Sequence, residues 1–129
     1  MNQRILVVDD EPDMLILLQR ILQGKTNYEI ITTNNSLEVP DLLEKQFFDV
    51  IITDLSMPKL DGLDILELVQ DRGSRELVVL ITAYGGFDSS EKARKLGVYD
   101  YIRKPFKREQ ILQTVEAAMQ EQRQRRQSE

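Results

Sequence analysis

The sequence predicts an α/β domain of five consecutive βα units, a parallel sheet with helices on both faces. Two observations predict it. Five short runs, RILVV, YEIIT, DVIIT, LVVLIT and YDYI, are rich in Val, Ile and Leu and mostly continuous rather than alternating. That is the pattern of strands covered on both sides. Between the runs, apolar residues recur at helical spacing. At 129 residues the chain is the size of one domain and can bury a real core.

The elements follow in order. Arg4 to Val8 form the first run. Pro12 stands just inside the helix that follows, where its missing N–H costs little. Met14, Leu15, Leu18 and Leu22 make the apolar stripe of that helix, and Gly24 suits a left-handed C-cap. After the second run, Pro40 would remove an intrahelical hydrogen bond from a helix that began at Ser36. The second helix is therefore expected to start near Val39 or to be distorted. Leu63, Ile65, Leu66 and Val69 stripe the third helix. Ala93 and Leu96 belong to the fourth, closed by Gly97, and Ile111, Leu112, Val115 and Ala118 mark the fifth. From Gln120 onward nearly every residue is Gln, Arg, Glu or Ser. With no apolar face to bury, this stretch reads as a frayed tail or the start of a linker. The expected division is a body over residues 1–121 and a polar tail over 122–129.

Composition narrows the chemistry. There is no cysteine, which removes disulfides, thiolate metal sites and cysteine nucleophiles. There is no histidine either, so a Ser-His-Asp triad and a histidine-bound zinc are excluded. A net charge of −5 gives no long-range attraction to nucleic acid. The locally basic EQRQRRQSE reads as a solvated helix end. No apolar run approaches the ~18 residues that span a membrane. Asp9, Asp10 and Glu11 interrupt the first apolar stretch and argue against a signal peptide. A cytoplasmic location is expected.

Four strand ends carry the functional signal. Asp9 and Asp10 close the first run, Asp54 follows DVIIT, Thr82 ends LVVLIT, and Lys104 and Pro105 follow YDYIR. A parallel sheet brings all four to one edge. Carboxylates that meet there repel unless a cation joins them, and hard oxygen donors with incomplete protein coordination favour Mg²⁺. Asp9 or Asp10, with Asp54, supplies carboxylates, and the backbone carbonyl of Ser56 adds a third oxygen. A carboxylate in that setting can attack phosphorus and become an aspartyl phosphate. Lys104 would stabilise the transferring oxygens, and Thr82 could donate a hydrogen bond to the phosphoryl group. Singly, each residue has an ordinary reading: a helix cap, a favourable charge at a helix start, a solvated side chain. Together they require four coincidences at one edge.

The combination VVDDE, DLSMPKLDG, ITA and YDYIRKPF, in that order from about Arg4 to Met119, resembles the receiver domain of bacterial two-component response regulators, the CheY-like superfamily. The resemblance implies a flavodoxin-like three-layer sandwich with strand order 2-1-3-4-5. It implies that Asp54 is the phosphoacceptor and that Asp9 and Asp10 are the acidic pair, with Asp10 the more direct Mg²⁺ ligand; Mn²⁺ could substitute. Thr82 would be the switch hydroxyl, Tyr101 the switch aromatic and Lys104 the conserved-type lysine, with a cis Lys104–Pro105 bond. Ser56 and Tyr84 would flank the path of hydrolytic water and tune the phosphoryl lifetime.

The implied partners are a sensor histidine kinase or a histidine phosphotransfer protein. An output domain or partner protein would read the face made by the fourth helix, fifth strand and fifth helix, and a phosphorylation-dependent homodimer is allowed. Direct contacts to nucleic acid or membrane are not implied. KPFKREQILQTVEAAM is similar to receivers of NtrC-type activators. Winged-helix relatives usually carry Glu-Leu and a later Arg where this chain has Gln110-Ile111 and Gln113.

The implied activity is that of a phosphoacceptor that promotes its own phosphorylation and dephosphorylation, not of a turnover enzyme. The rivals are weaker. A haloacid-dehalogenase enzyme needs D-x-D after its first strand, and a nucleotide hydrolase needs a P-loop; neither motif is present. A flavin binder would not require the carboxylate, threonine and lysine set. The alternative of weight is a pseudo-receiver, a phosphorylation-independent binding module.

Overall fold

The computed structural model describes residues 2–24, 27–83 and 87–128. Five strands and five helices alternate: β1 (Arg4–Val8), α1 (Pro12–Gln23), β2 (Glu29–Thr33), α2 (Val39–Lys45), β3 (Val50–Asp54), α3 (Gly62–Asp71), β4 (Leu77–Thr82), α4 (Phe87–Lys95), β5 (Asp100–Arg103) and α5 (Arg108–Ser128). The strands form one parallel sheet in the order β2-β1-β3-β4-β5. This is the predicted flavodoxin-like sandwich.

The continuous apolar runs are explained by two cores, one on each face. Ile5, Val7, Ile52, Val79 and Ile81 point toward α1 and α5 and pack with Leu18, Leu22, Ile111 and Val115. Leu6, Val8, Ile51, Val78 and Leu80 point the other way and pack with Leu43, Leu66, Val69 and Ala93 of α2, α3 and α4. Successive strand residues therefore serve opposite faces.

Local signals act largely as the sequence suggests. Pro12 occupies the first turn of α1. The chain before α2 makes a short 3₁₀ turn over Ser36–Glu38, capped by Asn35, whose side chain accepts the amide of Leu37. The α-helix then begins at Val39, with Pro40 inside its first turn. Asp61 and Asp64 form a reciprocal capping box at the start of α3. Gly97 is left-handed at φ +83°. Gly24 departs from expectation, since its φ of −69° is right-handed. Its amide closes α1 on the carbonyl of Arg20, so the left-handed option open to glycine is not used.

The expectation of a frayed tail from Gln120 is corrected. Helix α5 continues to Ser128, and its polar end packs on the N-terminal edge of the sheet. Gln122 is buried, and its amide donates to the carbonyls of Asp49 and Arg75, both at 2.8 Å. Arg123 donates to Gln3 and Glu116, and Arg126 pairs with the buried Asp49 carboxylate at 2.7 Å. Strand-end carbonyls have acceptor capacity that long polar side chains can use and apolar ones cannot; Asp49 O, which already accepts the Leu77 amide, takes the Gln122 amide as well.

Candidate functional site

The ladder register places the strand ends level. Val8 is opposite Thr53, Asp54 opposite Ile81, and Thr82 opposite Arg103. Asp9, Asp54, Thr82 and Lys104 therefore emerge side by side at the C-terminal edge. Backbone bonds extend the ladder just past it: Asp9 N–H to Thr33 O at 3.2 Å, Leu55 N–H to Ile81 O at 2.8 Å, and Lys104 N–H to Thr82 O at 2.8 Å.

Asp9, Asp54 and Thr82 are all buried, at 2%, 6% and 1% exposure. Such burial of two carboxylates in a cleft demands compensation. Lys104 supplies part of it, with Nζ 3.5 Å from Asp54 Oδ2. The amide of Glu11 donates to Asp9 Oδ1 at 2.9 Å. These partners do not suffice for Asp9, whose pKa is pushed up from 3.8 to about 6. Burial is the main cause, with the charges of Asp54 and Asp10 adding to it and the Glu11 amide and Lys104 opposing.

Carboxylate oxygens of Asp9, Glu11 and Asp54 lie within 4.8 Å of one another. Three hard oxygen donors around one point, one of them reluctant to ionise without a cation, fit Mg²⁺ or Mn²⁺. Asp10, expected as the more direct ligand, is exposed and outside this group. It lines the neighbouring cleft with Asn35, Ser36 and Lys59. Glu11, which the sequence suggests only as a helix-start charge, stands in the cluster with Asp9 and Asp54.

The other expected residues are placed as follows. Ser56, two residues after Asp54, is exposed and lines a cleft with Asp61 and Ser89. Tyr84 lies outside the described residues. The Lys104–Pro105 bond is cis. Tyr101 is half-buried, packed on the core face that includes Ala93 of α4. Its hydroxyl is buried without a hydrogen-bond partner among the described residues.

Gly62 is a further requirement of the site. A Cβ there would stand 2.7 Å from Asp54 O, 2.8 Å from Leu80 Cδ2 and 3.0 Å from Leu55 Cα. The Gly62 amide meanwhile donates to Leu55 O at 3.0 Å, closing the β3–α3 loop. Two of the three neighbours are backbone and cannot yield cheaply. Gly62→Ala should therefore cost about 2–3 kcal/mol of stability, read from urea unfolding. A loss under ~0.5 kcal/mol would mean that the loop opens freely.

The Asp9 shift gives a signed pH dependence. Its folded pKa is raised, so its stabilising share is complete below about pH 4 and is lost as pH rises through about 6. Without divalent cation, Asp9→Asn should therefore gain stability over wild type at pH 7.5, by up to ~2 kcal/mol, and gain little at pH 4.5. An equal difference at both pH values, measured by urea unfolding in chelator, would contradict the assignment.

With this geometry in hand, comparison with known proteins is decisive about family. The response regulator receiver domain model matches residues 5–116. The chain is 38% identical over 104 residues to the response regulator protein PilR of Pseudomonas aeruginosa, covering 81% of this chain and 23% of that protein. It is 31% identical over 115 residues to sporulation initiation phosphotransferase F of Bacillus subtilis, covering 89% and 92%. A receiver domain from Methanospirillum hungatei superposes with a TM-score of 0.90 at 25% identity, covering 97% of this chain and 99% of that one. The chain thus spans about a quarter of PilR and nearly all of the sporulation protein. The match holds across the whole sheet and the acidic edge, and this chain belongs to the receiver domains of two-component response regulators.

Proposed function

We propose that Asp54 accepts a phosphoryl group from the phosphohistidine of a sensor kinase or phosphotransfer protein, in a Mg²⁺-dependent reaction. The supporting observation is the buried Asp54 carboxylate with Lys104 on one side and the Asp9 and Glu11 carboxylates on the other. Asp54 attacks phosphorus, the P–N bond of the donor breaks, and the imidazole leaves. An acyl phosphate remains on Asp54. A divalent cation held by Asp9, Glu11 and Asp54, with the Ser56 carbonyl, would offset the charge of the transferring oxygens. Lys104 holds a fixed positive charge against the same oxygens.

Thr82 and Tyr101 carry the new charge to the surface. Thr82 sits opposite Arg103 in the ladder, and Tyr101 is two residues earlier on β5. Tyr101 already packs on the core, and its buried hydroxyl has no hydrogen-bond partner among the described residues, which leaves its position open to bias. The face that responds is formed by α4, β5 and α5, where an output domain, a partner protein or a second copy would read it. The protein acts in the cytoplasm as a phosphoacceptor that speeds its own phosphorylation and dephosphorylation. Among the described residues, no helix is long and apolar enough to cross a membrane.

Intact mass after incubation with acetyl phosphate and Mg²⁺ tests the proposal. One phosphoryl group should be gained by wild type, lost on chelation, and absent from Asp54→Asn. No gain from acetyl phosphate or from phosphorylated histidine kinases would instead favour the pseudo-receiver, whose pocket is complete but idle.

A further inference from the structure

Lys59, in the loop after Asp54, has a left-handed backbone at φ +72°. A side chain in that region is strained, and glycine is the residue that adopts it freely. The neighbouring peptide groups are held by a single hydroxyl from another loop. Ser36 Oγ donates to Pro58 O at 3.1 Å and accepts Leu60 N–H at 3.0 Å. Ser36 is 4% exposed, so water does not replace it readily. One donor and one acceptor of the hydroxyl are thereby used, and they bracket the strained residue on both sides.

Ser36 is itself fixed from the acidic edge. Thr33 O accepts the Asp9 amide, and Thr33 Oγ1 accepts the Asn35 amide at 3.1 Å and donates to Asn35 O at 3.2 Å. Asn35 then caps the turn that presents Ser36. Hydrogen bonds linked through the short backbone from Thr33 to Ser36 therefore join the backbone of Asp9 to the loop that carries Ser56. The far end of that loop is pinned separately, by Gly62 and the Asp61–Asp64 box.

We infer that Ser36 is a positioning residue: its hydroxyl holds Lys59 left-handed and so sets the β3–α3 loop in register with the carboxylates of the divalent-cation site. The inference rests on the metal-binding reading proposed above and adds a residue that never touches the ion. Supporting groups of this kind usually alter metal affinity by 10–100-fold.

The test is Mn²⁺ affinity by electron paramagnetic resonance, together with amide exchange at Leu60. Ser36→Ala should raise the Mn²⁺ Kd about tenfold and speed exchange at Leu60 by at least a similar factor. Lys59→Gly alone should leave affinity near wild type. Added to Ser36→Ala, it should recover most of the loss, because glycine needs no hydroxyl to stay left-handed. General destabilisation would not be repaired by a glycine in a loop. Unchanged affinity in Ser36→Ala, or a loss that Lys59→Gly does not repair, would overturn the inference. Were Ser36→Ala to unfold, Ser36→Cys, with its weaker hydrogen-bonding group, should give an intermediate affinity, and wild-type affinity there would overturn it equally. If wild type bound no Mn²⁺, the metal reading would fail instead, and unchanged Leu60 exchange in Ser36→Ala would still refute the clamp.

Discussion

Lys104→Ala is expected to slow phosphoryl uptake from acetyl phosphate about a hundredfold while tightening Mn²⁺ binding several-fold. The two effects have opposite signs because Lys104 serves one event and opposes the other. Its ammonium is 3.5 Å from Asp54 Oδ2, and both side chains are largely shielded from water. On the proposed reading, a fixed positive charge there would meet the oxygens of the incoming phosphoryl group, and loss of one such group commonly costs 10²–10³-fold in rate. The same charge repels a divalent cation held by Asp9, Glu11 and Asp54, so its removal favours the cation. A lysine that merely packed would lower both quantities together through loss of order. Single-turnover labelling and Mn²⁺ titration on the same preparation separate the cases. A rate within threefold of wild type would remove Lys104 from the chemistry.

The parts of this site that end strands were legible in the sequence. Asp54 and Thr82 each end a strand buried along its whole length, so their position at the sheet edge follows from the runs themselves; Lys104 follows the half-covered edge strand β5, whose register sets it level with them. Residues whose role depends on loop geometry were not. Glu11 and Asp10 are adjacent acids at the start of α1, and only the backbone path decides which one turns toward Asp54. Glu11 has an ordinary explanation as a favourable charge beside a helix N-terminus. Ser36 and Gly62 act across loops. Ser36 is separated by 22 residues from the carbonyl that it binds, and nothing periodic announces such a contact. Gly62 was visible only as the end of DLSMPKLDG. Its necessity comes from the Asp54 carbonyl beside it, which is a fact of packing. Gly24 shows the converse, since a glycine permits a left-handed cap without requiring one.

The end of α5 was misread because burial was equated with apolarity. Val115, Met119, Gln122 and Arg126 follow one another at steps of four, three and four, so one helix face continues into the polar stretch. The spacing was present; only the chemistry changed, from apolar contacts to hydrogen bonds with strand-end carbonyls. A chain ending at Glu121 should therefore lose about 2–4 kcal/mol of stability rather than the near-zero cost of removing a solvated tail. Gln122 leaves the carbonyls of Asp49 and Arg75 without its amide, and Arg126 leaves the Asp49 carboxylate with the Arg4 amide as its remaining bond among the described residues. The ion pair alone is worth less than a fully buried one, because Arg126 is 44% exposed and truncation admits water to Asp49. Gln122→Ala separates the contributions: it should account for about half of the loss, since both of its bonds are made in a site 3% exposed. A truncated chain whose urea midpoint matched the full chain would restore the frayed tail and show that these bonds merely replace equivalent ones to water. Asp49 precedes β3, and Asp54 ends it, so the same face of α5 that is locked to the sheet's lower edge also steadies the strand that presents Asp54.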